Sequence, residues 1–293
     1  MTTRASRLRA ALDAVPRVSL RDGPAPLLRL VEVEKLLGYS DGIFAQRDGL
    51  GASFGGSKVR KLEYLLADPK VASARRIVTI GARASQHVLA TAVAAGRMGL
   101  PVRAVLFGGG DPGRDLSSSL RALGVEVSAH ETRPIAGAHL LWQALWRHRD
   151  GTVVIPPGGT TARGMVGLVR AGFEIADEVG RGLMPAPAAV YVALGSGGTG
   201  LGLAYGLMAA GLATEVRLVA TVERLLVTRR RLRSLAKQLV AFLAEAAPPV
   251  EAKWPELDFT RLRVLRDQLG GGYQHPTDAG RHAIELAAKD GLV

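Results

Sequence analysis

The stretch Ala189-Val190-Tyr191-Val192-Ala193-Leu194-Gly195-Ser196-Gly197-Gly198-Thr199-Gly200 decides how the rest of the chain is read. An apolar run gives way to glycine, serine and threonine, and residues 201–210 then continue in helical composition. The pattern predicts a strand over Ala189–Leu194, a glycine turn, and a helix over Gly200–Ala210. Free backbone N–H groups in such a turn, with the positive end of the helix dipole, make an anion site suited to a phosphate. The glycines let the backbone approach closely, and Ser196 and Thr199 add hydroxyl donors. A tight turn that serves packing alone is the competing reading. The stretch also spells G-x-G-x-x-G, and Glu223 follows the next apolar run, where a dinucleotide-binding domain holds a ribose. An NAD-dependent oxidoreductase is therefore an open alternative at this point.

The same alternation extends outward. Strands are predicted over Arg76–Ile80, Val102–Phe107, Val125–Ala129, Thr152–Ile155, Val216–Val222 and Arg261–Leu265. Between them lie helices over Val59–Asp68, Ser85–Met98, Arg114–Leu123, Ile135–His148, Arg163–Val179 and Val227–Ala244, with Pro276–Lys289 last. This order predicts an α/β protein with parallel wound sheets and flanking helices. Before it come a short helix, Ala5–Ala14, and a β-rich entry. Pro156-Pro157-Gly158-Gly159-Thr160-Thr161 interrupts the pattern. It predicts a smaller α/β domain, residues 54–162, inserted into a larger one made of residues 1–53 and 163–293.

The composition bounds the function. The chain has 293 residues, 47% hydrophobic and 22% charged, which suits a folded domain pair and not a disordered chain. No apolar run reaches the roughly 18–20 residues that span a bilayer, and residues 1–20 carry no signal-peptide core. The chain has no cysteine, so disulfides, thiolate metal sites and cysteine nucleophiles are excluded. A cytoplasmic location and no metal site are expected. The net charge of +12 raises the question of nucleic acid. The charge is spread and aromatics are scarce, so neither nucleic acid nor a membrane is expected as a partner. The dense run Arg229-Arg230-Arg231-Leu232-Arg233 reads as a solvated helix face.

A second stretch, Gly55-Gly56-Ser57-Lys58-Val59-Arg60-Lys61-Leu62-Glu63, places a lysine at the mouth of a helix with Ser57 as its expected N-cap. The helix dipole, Arg60 and Lys61 all disfavour a proton on Lys58, as a lysine that forms a Schiff base requires. An ordinary basic first turn is the alternative. A phosphate cup and a distant reactive lysine together suggest one cofactor held from both sides, pyridoxal 5'-phosphate. Two further groups offer chemistry. Ser85-Gln86-His87 follows a strand end, where ligands bind in open α/β sheets. Ser85 can cap its helix or face the ligand, Gln86 can bond a cofactor hydroxyl, and His87 is expected to pack. Tyr273, on a glycine-flanked loop, can act as acid, base or donor, or pack on its turn.

These stretches together resemble the pyridoxal-phosphate family that includes D-cysteine desulfhydrase and 1-aminocyclopropane-1-carboxylate deaminase. Gly55–Glu63 resembles its G-G-N-K-x-R-K-L-E, residues Gly81–Thr91 its G-x-x-Q-S-N-H-x-R-Q-T, Gly195–Gly200 its phosphate loop, and Gly272–Thr277 its G-Y-G-H-P-T. The resemblance implies a two-domain, tryptophan synthase β-like fold (fold type II) and a homodimer. It implies catalytic Lys58, Ser85 and Tyr273. Cofactor binding would fall to Lys58, Gln86, Gly195, Ser196, Gly197, Gly198, Thr199 and Gly200. The implied activity is that of a lyase or deaminase on a small amino acid, releasing ammonia and a 2-oxo acid. His87 inclines the reading to the D-cysteine branch. Ser57, Ala84, Gln86, Leu89 and Ala90 depart from the family pattern, and relatives continue past the position of Val293 with a D-P-x-Y-x-G-K segment. These departures motivate the alternative of a catalytically impaired homologue.

Overall fold

The computed structural model describes residues 3–49, 56–108, 115–147, 151–223, 227–249, 251–272, 275 and 277–292. It opens with α1 (Arg4–Asp13), β1 (Leu27–Arg29), α2 (Val31–Leu37) and β2 (Phe44–Gln46). Next come α3 (Ser57–Leu65), α4 (Pro69–Ala72), β3 (Arg76–Ala82), α5 (Gln86–Gly96), β4 (Val102–Phe107) and α6 (Ser117–Ala122). The run continues with β5 (Glu126–His130), α7 (Arg133–Arg147) and β6 (Thr152–Ile155). The last part holds α8 (Ala162–Gly180), β7 (Ala189–Leu194), α9 (Gly198–Ala209), β8 (Glu215–Ala220), α10 (Arg229–Ala246), β9 (Leu262–Leu265) and α11 (Asp278–Lys289).

Two parallel sheets carry the fold, as the alternation predicts. One is four-stranded in the order β5-β4-β3-β6, the other three-stranded in the order β7-β8-β9. The central strand β3 is buried from Ile77 to Ala82, as a strand covered on both faces is, and its one polar side chain there, Thr79, is hydrogen-bonded to His87. The expected β-rich entry is a two-stranded antiparallel pair, β1 with β2, with α2 between them. Each parallel sheet has its own core. Val59, Leu62, Ile77, Val88, Leu106 and Ile155 pack in the first. Met165, Val169, Leu201, Tyr205, Leu218 and Leu239 pack in the second, which also takes Leu8 and Leu12 from α1. Among the described residues no helix is long and apolar enough to cross a membrane.

Helix α8 is the spine between the two cores, packing on α9 on one side and on α3 on the other. Glycines permit both approaches. A Cβ at Gly206 would strike the Val169 carbonyl, and one at Gly167 would strike the carbonyl of Arg60. The α3 contact is reinforced by charge. The Arg60 guanidinium, fully buried, lies 2.7 Å from Asp48 and 2.8 Å from Glu174 of α8. Arg21 adds ion pairs to Glu63 at 3.3 Å and to Glu174 at 3.6 Å. Such a network is weak evidence of net stability, but removing one partner strands a buried charge.

Candidate active site

Helix α3 is buried from Val59 through Leu65. A helix so enclosed has little freedom to turn, so the residues at its mouth are held in place. Its N-cap is Gly56, at φ 49° and ψ −135°, and no side chain caps it. Ser57 is the first helical residue, which corrects the expectation that Ser57 is the cap. The backbone there takes a positive φ that glycine adopts without strain. Lys58 remains in the first turn, partly buried. Burial lowers its proton affinity below that of an ordinary lysine, and the Asp48 carboxylate opposes the effect. The direction agrees with the sequence reading, but the main cause is burial. Arg60 is engaged with Asp48 and Glu174.

Lys61, one turn along α3, is fully enclosed. Its Nζ donates to the Gly158 carbonyl at 2.9 Å and to Thr160 Oγ1 at 3.3 Å. Burial, and then the charge of Lys58, lower its pKa to about 7. Thr160 Oγ1 in turn shares a hydrogen bond of 2.6 Å with Ser196 Oγ in the glycine turn. A continuous polar line therefore joins the lysine helix to the predicted phosphate turn. Gly197 takes φ 93° at the head of α9, and no side chain caps that helix. Its first N–H groups are left to serve an anion. A Cβ at Gly198 would meet Thr160 at 2.8 Å, so the turn and the Thr160 loop close on each other only because the residues are small.

Ser85 caps α5, its Oγ accepting from Val88 N at 3.4 Å. The bond uses an oxygen lone pair, and the hydroxyl hydrogen stays available. Gln86 begins the helix with its side chain exposed. His87 is buried, with Nε2 3.3 Å from Thr79 Oγ1. Burial, then the charges of Lys61 and Lys58, push its pKa down to about 3, against a weaker pull from the Pro156 backbone. His87 is therefore a neutral packing residue, near enough to both lysines to feel their charge. Between pH 6.5 and 3 an unfolded chain takes up a proton there that the folded chain refuses, so stability falls as pH drops through that window. The imidazole resonances of His87 are expected to stay flat by NMR from pH 8 to 5. Movement of the His87 signals near pH 6.5 would contradict this placement.

Tyr273 lies outside the described residues, as does Gly55. Glu223, the ribose-binding candidate, is exposed, and its Oε1 lies 3.6 Å from where a Cβ of Gly272 would stand. No cluster of metal-ligating residues is present among the described residues. Two contributors escaped the sequence reading. Lys61 counted only as neighbouring charge, although its spacing of three from Lys58 puts both on one helix face. Thr160 lay in a segment read only as a boundary.

A two-sheet α/β chain with a partly buried lysine at a helix mouth, and an enclosed lysine beside it bonded toward a glycine turn at a helix N-terminus, defines an anionic-cofactor enzyme class. The family model for pyridoxal-phosphate dependent enzymes matches residues 18–293, and the chain belongs to that family. The D-cysteine desulfhydrase of Salmonella choleraesuis is 32% identical over 286 residues, covering 94% of this chain and 83% of that protein. A Pyrococcus furiosus protein provisionally named 1-aminocyclopropane-1-carboxylate deaminase is 35% identical over 207 residues, 69% of this chain and 61% of its own length. The crystal structure of an ACC deaminase homologue superposes with a TM-score of 0.78 at 26% identity, covering 98% of this chain and 84% of that one. The tryptophan synthase β-like fold implied by the resemblance stands. The residues also fit the cofactor on their own chemistry. A lysine of lowered proton affinity suits its aldehyde, and an enclosed lysine, two hydroxyls and uncapped helix N–H groups suit its phosphate.

Proposed function

We propose that the chain is a pyridoxal-phosphate-dependent lyase or deaminase that releases ammonia and a 2-oxo acid from a small amino acid of the D-cysteine or cyclopropane amino acid type. The observation that carries the reading is the hydrogen-bonded line Lys61–Thr160–Ser196, which offers a phosphate seat on the same helix whose first turn carries Lys58 as the covalent anchor. When bound, pyridoxal phosphate supplies an electron sink for negative charge at the substrate α-carbon. Lys58 Nζ holds the cofactor aldehyde and, when free and neutral, accepts a proton from the substrate. Ser85 Oγ, held by its bond from Val88 N, donates its hydrogen into the site. Ser196, Thr199 and the N–H groups of Gly197, Gly198 and Gly200 hold the phosphate, with Lys61 balancing its charge. Tyr273 and Gln86 keep the substrate and cofactor contacts that the family resemblance implies. The 54–162 and 1–53/163–293 domain division is part of this reading, supported by the two separate cores. A cytoplasmic homodimer is the expected working form. The test is release by the cofactor-loaded chain of ammonia, 2-oxo acid and sulfide from D-cysteine, and of ammonia and 2-oxo acid from 1-aminocyclopropane-1-carboxylate. Absence of product from both, with the cofactor bound, would favour the impaired homologue.

Lys61 provides a check that needs no turnover. With its folded pKa about 7 against an ordinary 10.5, the unfolded chain holds more protons between those values. Stability of the cofactor-free chain therefore rises with pH across that window. A phosphate at the turn returns the proton to Lys61. Titration with pyridoxal phosphate at pH 8 is expected to take up a proton, seen as heats that differ between buffers of different ionisation enthalpy. Lys61→Met is expected to remove the uptake and weaken binding roughly 10- to 100-fold, the scale of a lost charged hydrogen bond. Unchanged uptake in Lys61→Met would place the phosphate elsewhere.

A further inference from the structure

Apart from that site, a groove of about 800 Å³ runs between α10 and β9. Leu262, Arg263 and Val264 all line it. Successive side chains of a strand point to opposite faces, so a groove that touches three in a row follows the strand's edge. Strand β9 ends its sheet, and no other strand pairs with its outer side among the described residues. Such an edge presents unpaired N–H and C=O groups. The facing wall is one side of α10, with Arg229, Leu232 and Arg233 at spacings of three and four.

The charge of the groove is one-sided. Arg229, Arg233, Arg263 and Arg266 line it without a lining carboxylate. Arg266 donates to the Val227 carbonyl at 3.0 Å, and Arg233 stacks over Phe259 at 5.8 Å. Neither contact neutralises a guanidinium. Helix α10 also begins Arg-Arg-Arg-Leu-Arg with no acidic residue in its first turn. Helix stability favours carboxylates at that end, so these arginines serve no evident purpose in the isolated fold. Leu232 is buried, and Phe259, Leu262 and Val264 are half-buried, which gives an apolar floor between cationic walls.

We propose that this groove docks an extended acidic peptide segment of another protein, which adds to β9 as a further strand and sets its carboxylates against Arg229, Arg233, Arg263 and Arg266. Backbone pairing with the open edge supplies the register, alternate apolar side chains meet the floor, and the charges select the partner. The site stands independently of the proposed activity. An edge of four residues pairs with a peptide of about six, at roughly 3.3 Å per residue.

The test is fluorescence anisotropy of a labelled peptide of about six residues, alternating glutamate and valine, titrated with the full chain. Saturable binding is expected, at least tenfold weaker for the Arg229→Glu/Arg233→Glu variant and absent for a lysine–valine peptide. Because one edge pairs with the protein, N-methylation of one alternate set of peptide amides is expected to abolish binding and methylation of the other set to leave it intact. This comparison uses the unaltered protein, so it decides the question even if the double variant does not fold. No saturable binding would overturn the proposal. So would equal tolerance of both methylated peptides, or equally tight binding of a single-stranded oligonucleotide or a nucleoside triphosphate, which would show a general anion surface.

Discussion

With pyridoxal phosphate added, the wild-type chain is expected to show the visible band of lysine-bound cofactor, and Lys58→Ala to show only the spectrum of free cofactor. Turnover is expected to fall on the order of a thousandfold or more, the scale of losing an activated nucleophile. Two features make the effect large. Lys58 is the amine at the mouth of an enclosed helix, and burial keeps it readier than an ordinary lysine to lose its proton. The neighbouring amine is already committed, since Lys61 is bonded to the Gly158 carbonyl and Thr160. A band that survives in Lys58→Ala would move the attachment to Lys61. Borohydride reduction and peptide mapping of both proteins would show this directly. A band in neither protein would leave a family member that keeps the fold without the chemistry.

Gly167→Ala is expected to cost about 3 kcal/mol or more, at the upper end of the range for overpacking, because the obstacle is backbone and not a flexible side chain. The added methyl would strike the carbonyl of Arg60, where α3 lies against α8. Neither helix can retreat easily. Helix α3 is buried from Val59 to Leu65, and the Arg60–Glu174 ion pair holds it to α8 at 2.8 Å. For a chain of this size the loss corresponds to a drop in Tm of roughly 5 °C. Gly180→Ala, at the far end of the same helix, is the control. A Cβ there meets nothing within 4 Å, and alanine is expected to be neutral or to stabilise by up to about 1 kcal/mol. Equal melting of Gly167→Ala and wild type would mean that the α3–α8 contact is looser than described. The variant should also weaken cofactor binding, since the displaced helix carries Lys58 and Lys61.

Much of the architecture was legible because period and punctuation speak locally. β4, β6 and β7 have the bounds their apolar runs predict, and the other elements differ at their ends by a few residues. Helix ends were less legible where several residues could cap. Ser85 caps α5 as its type allows, whereas Ser57 yields to Gly56, whose backbone takes a conformation that composition alone does not reveal. The short helix α4 was not read at all, since four residues carry no periodicity.

The site divides along a similar line. The lysine and the glycine turn are each a contiguous motif, so the sequence by itself determined the parallel α/β class, the family resemblance and the two motifs proposed as anchor and phosphate seat. Only the tertiary structure decided how they meet. Lys61, Thr160 and Ser196 lie far apart in the chain, and what joins them is the packing of α3 on α8 and the closing of the Gly158–Thr160 loop on the turn before α9. The proton affinities followed the same rule. Lys58, Lys61 and His87 are shifted chiefly by burial. Burial depends on which distant segments cover a residue, and no local pattern records that.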